Sequence, residues 1–264
     1  SKYHVKKLLN VTTKNIFTNI NKIESVILDK DGTIIDVHHY WIGMSRLRIQ
    51  SILDEPSIPS SEHSLVNDIL EKSLGINSTA NKISRDGPAG VKPRIFMMSL
   101  VQKELKKLGI HFKLNQIEVL FKEVDIISEK KIDSLVKVLP GVEEFIENAK
   151  SRDMDLNLVS NDITPRAELA LKSLGLLDSF RFIFGQDKVN NPKPSGDLAN
   201  LVLNKGSYDP NATVNIGDHP NDMRMGLSAG IKNNYAVLTG LNKEYNFKSI
   251  KCECIDNLQE FIFS

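Results

Sequence analysis

Apolar residues follow two rhythms along this chain. Unbroken runs of strand length close on polar or glycine-bearing residues: "IESVILD" (23–29), "MDLNLVSND" (154–162), "FRFIFG" (180–185), "ATVNIGD" (212–218), "NYAVLTG" (234–240) and "CECID" (252–256). Between them lie helical patterns, "GVEEFIENAKSR", "PRAELALKSLGLL", "DLANLVLNKG" and "DMRMGLSAG", and a short one, "NLQEFIF", follows the last run. Strand–helix alternation of this kind predicts an α/β, Rossmann-like domain with a mainly parallel sheet. The runs are continuous rather than alternating because such strands are covered on both faces.

The second rhythm occupies residues 37–137. There "YWIGMSRLRIQSIL", "SEHSLVNDILEKSLG", "PRIFMMSLVQKELKKLGI" and "NQIEVLFKEVDIISEKKIDSLV" repeat apolar residues three and four apart, as in Met97, Val101, Leu105 and Leu108. This stretch predicts an inserted all-helical subdomain. It is reached through "IIDVHH" and left through "VKVLPG", which Pro140 and Gly141 punctuate. The expected organisation is an arm at 1–22, an α/β core from 23–36 and 138–264, and the helical insertion at 37–137.

Composition narrows the function classes. Of 264 residues, 41% are hydrophobic, which supports a sizeable core. The 34 Lys and Arg against 33 Asp and Glu leave no electrostatic footprint for nucleic acid. No apolar run approaches the ~20 residues of a membrane span, and the first residues lack the apolar region of a secretory signal. Cys252 and Cys254 are too few for a structural zinc site and read as ordinary strand residues. The expected location is the cytoplasm.

Polar groups gather at the strand ends, where open parallel sheets bind ligands. The first run ends in Asp29-Lys30-Asp31-Gly32-Thr33, the second in Ser160-Asn161-Asp162, and the fourth in Gly217-Asp218-His219-Pro220-Asn221-Asp222. Lys193 stands between two prolines in the loop after the third. A calcium loop starting at Asp29 fails, because Gly32 and Tyr40 occupy positions that need other residues. A glycosidase pair leaves Ser160 and Lys193 unexplained.

Phosphoryl transfer accounts for all four clusters. A carboxylate attacks phosphorus, and Mg²⁺ held by oxygen ligands such as Asp29 and Asp218 reduces the charge repulsion. Ser160 and Lys193 supply fixed donors to the phosphoryl oxygens, and Asp31 moves the proton of the leaving alkoxide. Gly32 admits backbone N–H groups to the phosphate, and Thr33 holds the loop or adds a hydrogen bond. Lys30 is expected to point away from both acids. The bland readings are turn aspartates, a helix-capping serine and a solvated lysine.

In this order, "DKDGTIID", "LVSND", "KP" and "GDHPND" resemble the four motifs of the haloacid dehalogenase (HAD) superfamily, in its phosphoglycolate phosphatase-like form with an inserted helical cap. The resemblance spans about 23–36 and 138–256; the insertion matches only in position and helical character. It implies that Asp29 is the nucleophile forming an aspartyl-phosphate. Asp31 is then the acid/base and gives its backbone carbonyl to the metal. Ser160 and Lys193 bind the phosphoryl group, with Gly32, Thr33 and Asn161 beside them. Asp218 binds Mg²⁺, and Asp222 supports the metal shell or Lys193. The second acid, Asp31, favours phosphate chemistry over dehalogenation.

The expected substrate is a small phosphorylated metabolite such as a sugar, polyol or glycolate-type phosphate. Its choice falls to the insertion: Arg85, Lys92 and Arg94 in "SRDGPAGVKPR" suit an anionic or polyhydroxyl leaving group, and His39, beside His38, Tyr40 and Trp41, is a further candidate. The alternatives are a phosphosugar mutase of the same fold and a non-catalytic HAD-like binding module.

Overall fold

The computed structural model describes residues 22–261. The expected arm at 1–22 lies, but for Lys22, outside the described residues. In chain order the elements are β1 (Ser25–Leu28), α1 (Val37–Leu53), α2 (His63–Leu74), β2 (Ile76–Asn77), β3 (Lys82–Ile83), α3 (Arg94–Lys107), α4 (Leu114–Lys130) and α5 (Ile132–Leu135). Then follow α6 (Val142–Lys150), β4 (Asp155–Val159), α7 (Thr164–Ser173), β5 (Phe182–Phe184), α8 (Asp197–Gly206), β6 (Thr213–Gly217), α9 (Pro220–Ser228), β7 (Asn233–Val237) and β8 (Glu253–Ile255).

Six strands form one sheet in the order β5-β4-β1-β6-β7-β8, and every neighbouring pair is parallel. The strand β1 is central. Val26 and Leu28 join a cluster with Phe145, Leu156 and Leu158 on one face, while Ile27 packs with Val159, Leu198 and Met225 on the other. A strand buried on both sides has no polar face to show, which is why β1 reads as an apolar run. After β1 the chain builds outward through β4 and β5, then crosses to β6 on the other side of β1. The crevice at such a reversal is where parallel sheets place ligands.

The inserted segment has its own apolar cluster, in which Ile49 and Ile52 of α1 meet Val66, Leu70, Met97, Val101, Leu105, Ile117 and Phe121. Asp36 caps α1, its carboxylate accepting from the His38 and His39 N–H groups at 2.9 and 3.1 Å. The segment's two ends are clasped together: Asp36 N–H donates to Lys137 O at 2.8 Å and Leu139 N–H to Ile34 O at 2.9 Å.

Two local expectations change. The insertion is not wholly helical, because β2 and β3 pair as an antiparallel ribbon of two residues each. The helix expected over "NLQEFIF" is a single 3₁₀ turn, Leu258–Glu260, with residues 262–264 outside the described part. Among the described residues no helix is long and apolar enough to cross a membrane.

Candidate active site

Four strand-end segments meet beside β1 and β6. Asp29 continues the parallel pairing, its N–H donating to Ile216 O at 2.9 Å, so its side chain emerges at the crevice. Asp218 follows β6 and is buried. Between them Lys193 reaches in from the loop after β5. Its Nζ donates to Asp29 Oδ1 at 2.5 Å, to Asp222 Oδ1 at 2.8 Å and to Val159 O at 2.9 Å. An ammonium has three N–H donors, and all three are taken. Asn161 fixes the same loop, its Oδ1 accepting from the Lys193 N–H at 3.1 Å.

The carboxylates crowd one another. Asp29, Asp218 and Asp222 each offer an oxygen within 4.8 Å of the others. Burial pushes the Asp29 carboxyl up to about 7; Lys193 opposes this, while Asp222 and Asp31 add to it. Burial raises Asp218 well above the usual carboxylate range too, with Asp29 and Asp222 reinforcing it. The Lys193 ammonium is held charged: the Asp222 and Asp29 carboxylates outweigh the cost of burial and raise its pKa. One ammonium against three buried acids leaves excess negative charge, and an all-oxygen donor set of that charge fits a hard divalent cation such as Mg²⁺.

Asp222 spends its two oxygens differently from Asp218. One accepts from Lys193 and the other from the His219 N–H at 2.9 Å, closing the first turn of α9. Asn215 Nδ2 donates to Asp222 O at 3.0 Å and anchors that turn to β6. His219 Nδ1 accepts from the Asn221 N–H at 3.1 Å, so in the neutral ring the proton sits on Nε2; burial keeps this ring neutral by lowering its pKa.

Several sequence expectations change at atomic detail. Lys30 does not point away from Asp31. Its buried Nζ lies 3.3 Å from Asp31 Oδ2 and 2.9 Å from Asp162 Oδ2, and this pair of acids keeps it charged. The other Asp31 oxygen is buried without a hydrogen-bond partner among the described residues. Gly32, at φ +84°, donates its N–H to Ile35 O at 2.8 Å, so that N–H is not offered to a phosphate. Its lack of a side chain makes room for Asp218 instead: a Cβ there would lie 2.4 Å from Asp218 Oδ2.

Gly240, which the sequence reading did not single out, closes the opposite side; a Cβ there would lie 1.7 Å from the same oxygen. Thr33 is buried with its hydroxyl unpaired among the described residues, while Thr239 Oγ1 holds the loop through Gly32 O at 2.6 Å. Ser160 Oγ accepts from the Asp162 N–H at 3.0 Å and retains its own proton to donate.

The crevice opens into a cleft of 810 Å³ between the strand ends and the inserted segment. Arg85 and Arg94 line it, Arg85 stacking on the Tyr245 ring at 4.9 Å and Arg94 ion-paired with Asp125. Lys92 and His39 do not. Lys92 is exposed and lies over the Phe96 ring, and His39 Nε2 bonds Ser134 O at 2.9 Å. Tyr40 and Trp41 form part of the wall. Arg48, Arg166 and Asp125 also line the cleft and were not singled out from sequence. Each lies inside a helix where its charge looks like an ordinary solvated face.

Comparison with known proteins agrees with this geometry. The family model for haloacid dehalogenase-like hydrolases matches residues 23–230. A phosphorylated carbohydrates phosphatase from Thermotoga maritima is 28% identical over 224 residues, covering 83% of this chain and 88% of its own length. Among solved structures, a candidate β-phosphoglucomutase from Thermotoga maritima superposes with a TM-score of 0.65 at 22% identity, over 90% of this chain and 95% of its own. The Bacillus subtilis protein YfnB, solved with magnesium bound, gives 0.57 at 18% identity, over 91% and 97%. These two likenesses concern the fold. Because the family match runs from β1 through α9 and takes in all four strand-end clusters, the chain belongs to the haloacid dehalogenase-like hydrolase family.

Proposed function

We propose that this chain is a Mg²⁺-dependent phosphatase acting on a small phosphate monoester through an aspartyl-phosphate on Asp29, with residues 37–137 as a cap over the site. The observation that carries the reading is the contact of Lys193 with Asp29 at the strand crossover, with Asp218 and Asp222 beside it. The relative named as a phosphorylated carbohydrates phosphatase supports the substrate class.

Asp29 is the nucleophile. Its oxygen, held by Lys193, attacks phosphorus as the bond to the leaving oxygen breaks. Asp31, which lines the cleft with Lys30 3.3 Å from its Oδ2, gives that oxygen a proton. Asp31 then takes a proton from the water that cleaves the acyl phosphate, which returns Asp29 and releases phosphate. Ser160, Asn161 and Lys193 orient the phosphoryl oxygens, Lys193 exchanging one of its present acceptors for them. Asp29, Asp218 and the Asp31 carbonyl would hold Mg²⁺, with Asp222 supporting Lys193. When bound, the ion supplies charge neutralisation and in-line orientation.

The test is phosphate release from a panel of small phosphate esters with and without Mg²⁺, beside Asp29→Asn. The reading predicts metal-dependent release that Asp29→Asn abolishes. Turnover retained in that variant removes the nucleophile assignment. An isomeric phosphosugar formed from a hexose 1-phosphate identifies a mutase instead.

A further inference from the structure

Most charges in the cleft are already answered. Arg94 is paired with Asp125, and Arg166 donates to the Tyr40 hydroxyl at 2.9 Å with Asp162 3.8 Å away. Asp162 in turn holds Lys30. Arg48 is different. It is 6% exposed, and its guanidinium lies over the Phe121 ring at 4.8 Å. Its Nε is buried with no partner, and among the described residues its side chain makes no hydrogen bond or ion pair. Burial, with Arg94 and Arg166 as neighbouring cations, works against its charge, which Asp125 and Tyr40 partly ease. A buried, unpaired guanidinium is costly, and removing that cost takes an anion able to accept from its planar fork of donors.

The position fits such an anion. Arg48 lies on α1 in the inserted segment and lines the same cleft as Asp29 and Lys193. Arg94 on α3 and Arg166 on α7 line it too, and Arg85, in the loop before α3, lies over Tyr245, so four guanidiniums line one compartment and Arg48 alone of them is buried. The acids in that wall, Asp125 and Asp162, are committed to Arg94 and Lys30, and Asp86 is exposed.

We propose that Arg48, flanked by Arg94 and Arg166, is a second anion subsite that receives a phosphate or carboxylate group carried by the leaving group. The substrate is then a phosphate monoester with a second anionic group, and Arg48 sets that specificity. This deepens the phosphatase reading and rests on it. Carboxylate and phosphate share the chemistry, two or more acceptor oxygens with a negative charge, and the test separates them.

The experiment compares matched pairs. For the carboxylate arm, 2-phosphoglycolate is set against 2-hydroxyethyl phosphate, which replaces the carboxylate by a neutral alcohol. For the phosphate arm, fructose 1,6-bisphosphate is set against fructose 1-phosphate. Wild-type kcat/KM favours the doubly anionic member of at least one pair by at least about 10-fold, chiefly through KM. In Arg48→Met this preference collapses to within about 2-fold, and Arg48→Lys keeps part of it.

Equal kcat/KM within both pairs overturns the proposal. So does an Arg48→Met defect that lowers both members of a pair alike, which is the signature of a packing role. A binding arm separates failure of the subsite from failure of the phosphatase reading. Trp41, the single tryptophan, lines the cleft, and its fluorescence reports ligand binding to Asp29→Asn without turnover. Tighter binding of the doubly anionic members there, lost in Asp29→Asn/Arg48→Met, upholds the subsite even if no ester is hydrolysed. Indifference to the second anion sinks it.

Discussion

The strand-end floor of the cleft and its helical wall use charge in opposite ways. On the floor the charged side chains contact one another: Lys193 holds Asp29 and Asp222, and Lys30 lies between Asp31 and Asp162. In the wall Arg94 has its acid, but Arg48 is left buried against an aromatic ring. The floor is organised before anything binds, which suits chemistry common to every phosphate ester. The wall keeps an unanswered charge, which suits discrimination between leaving groups.

The sharpest way to break this contrast is at the floor. Asp29→Asn should lower kcat by at least about 10³-fold while the fold persists, read by phosphate release and circular dichroism. A smaller loss would make the floor an electrostatic setting rather than a reacting one.

Removing the floor's cation comes next. Lys193→Met leaves Asp29 and Asp222 buried without their partner and should cost about 3–5 kcal/mol in a denaturant titration of metal-free protein. Arg48→Met removes an unpaired charge and should cost far less. Similar losses from the two would erase the distinction.

Gly240→Ala tests the packing around Asp218. A Cβ 1.7 Å from Oδ2 forces the carboxylate aside. The Mg²⁺ concentration for half-maximal activity should rise about 10–100-fold, with a stability cost of about 1–3 kcal/mol. An unchanged Mg²⁺ requirement would separate Asp218 from the metal.

Protons give a subtler handle. Asp29 stands at about 7 in the folded chain against an ordinary value of 3.8. Between these values the folded state binds more protons than the unfolded one, so this group's contribution to stability falls as pH rises from 3.8 to 7. Metal-free wild type should therefore lose melting temperature relative to Asp29→Asn across that window, and Mg²⁺ should restore more of it at pH 7.5 than at pH 5. A difference that stays flat with pH would contradict this account.

The smallest effect is expected from Lys92→Ala, a solvated residue outside the cleft. Stability should stay within about 0.5 kcal/mol, and a loss of selectivity for doubly anionic esters would move the subsite to the loop at 84–94.

The same contrast explains what sequence made legible. Asp29, Ser160 and Asp218 stand at strand ends, which a parallel sheet brings together whatever the intervening chain does, and Lys193 reaches them from the loop after β5. The structure places these residues in one crevice, while their chemical roles rest on the proposed reaction. Strict strand alternation would turn Lys30 away from Asp31, whereas the chain bends after Asp29 and Lys30 is drawn to Asp162, far off in sequence. Gly240 leaves no signal in the sequence because its role is the absence of a side chain beside Asp218. Arg48 and Arg166 are single charges in amphipathic helices, and only tertiary packing shows that they share a cleft. The ribbon of β2 and β3 is too short for any periodicity to reveal it.

The clasp at Asp36–Lys137 and Ile34–Leu139 has a consequence for lineage and engineering. Because the chain leaves the core and returns to it through adjoining, hydrogen-bonded backbone, a segment of another length grafted between the same two junctions would add little loop-closure entropy. Under the proposed reading, substrate choice would then be exchangeable by recombination at two points while the strand-end floor is inherited intact.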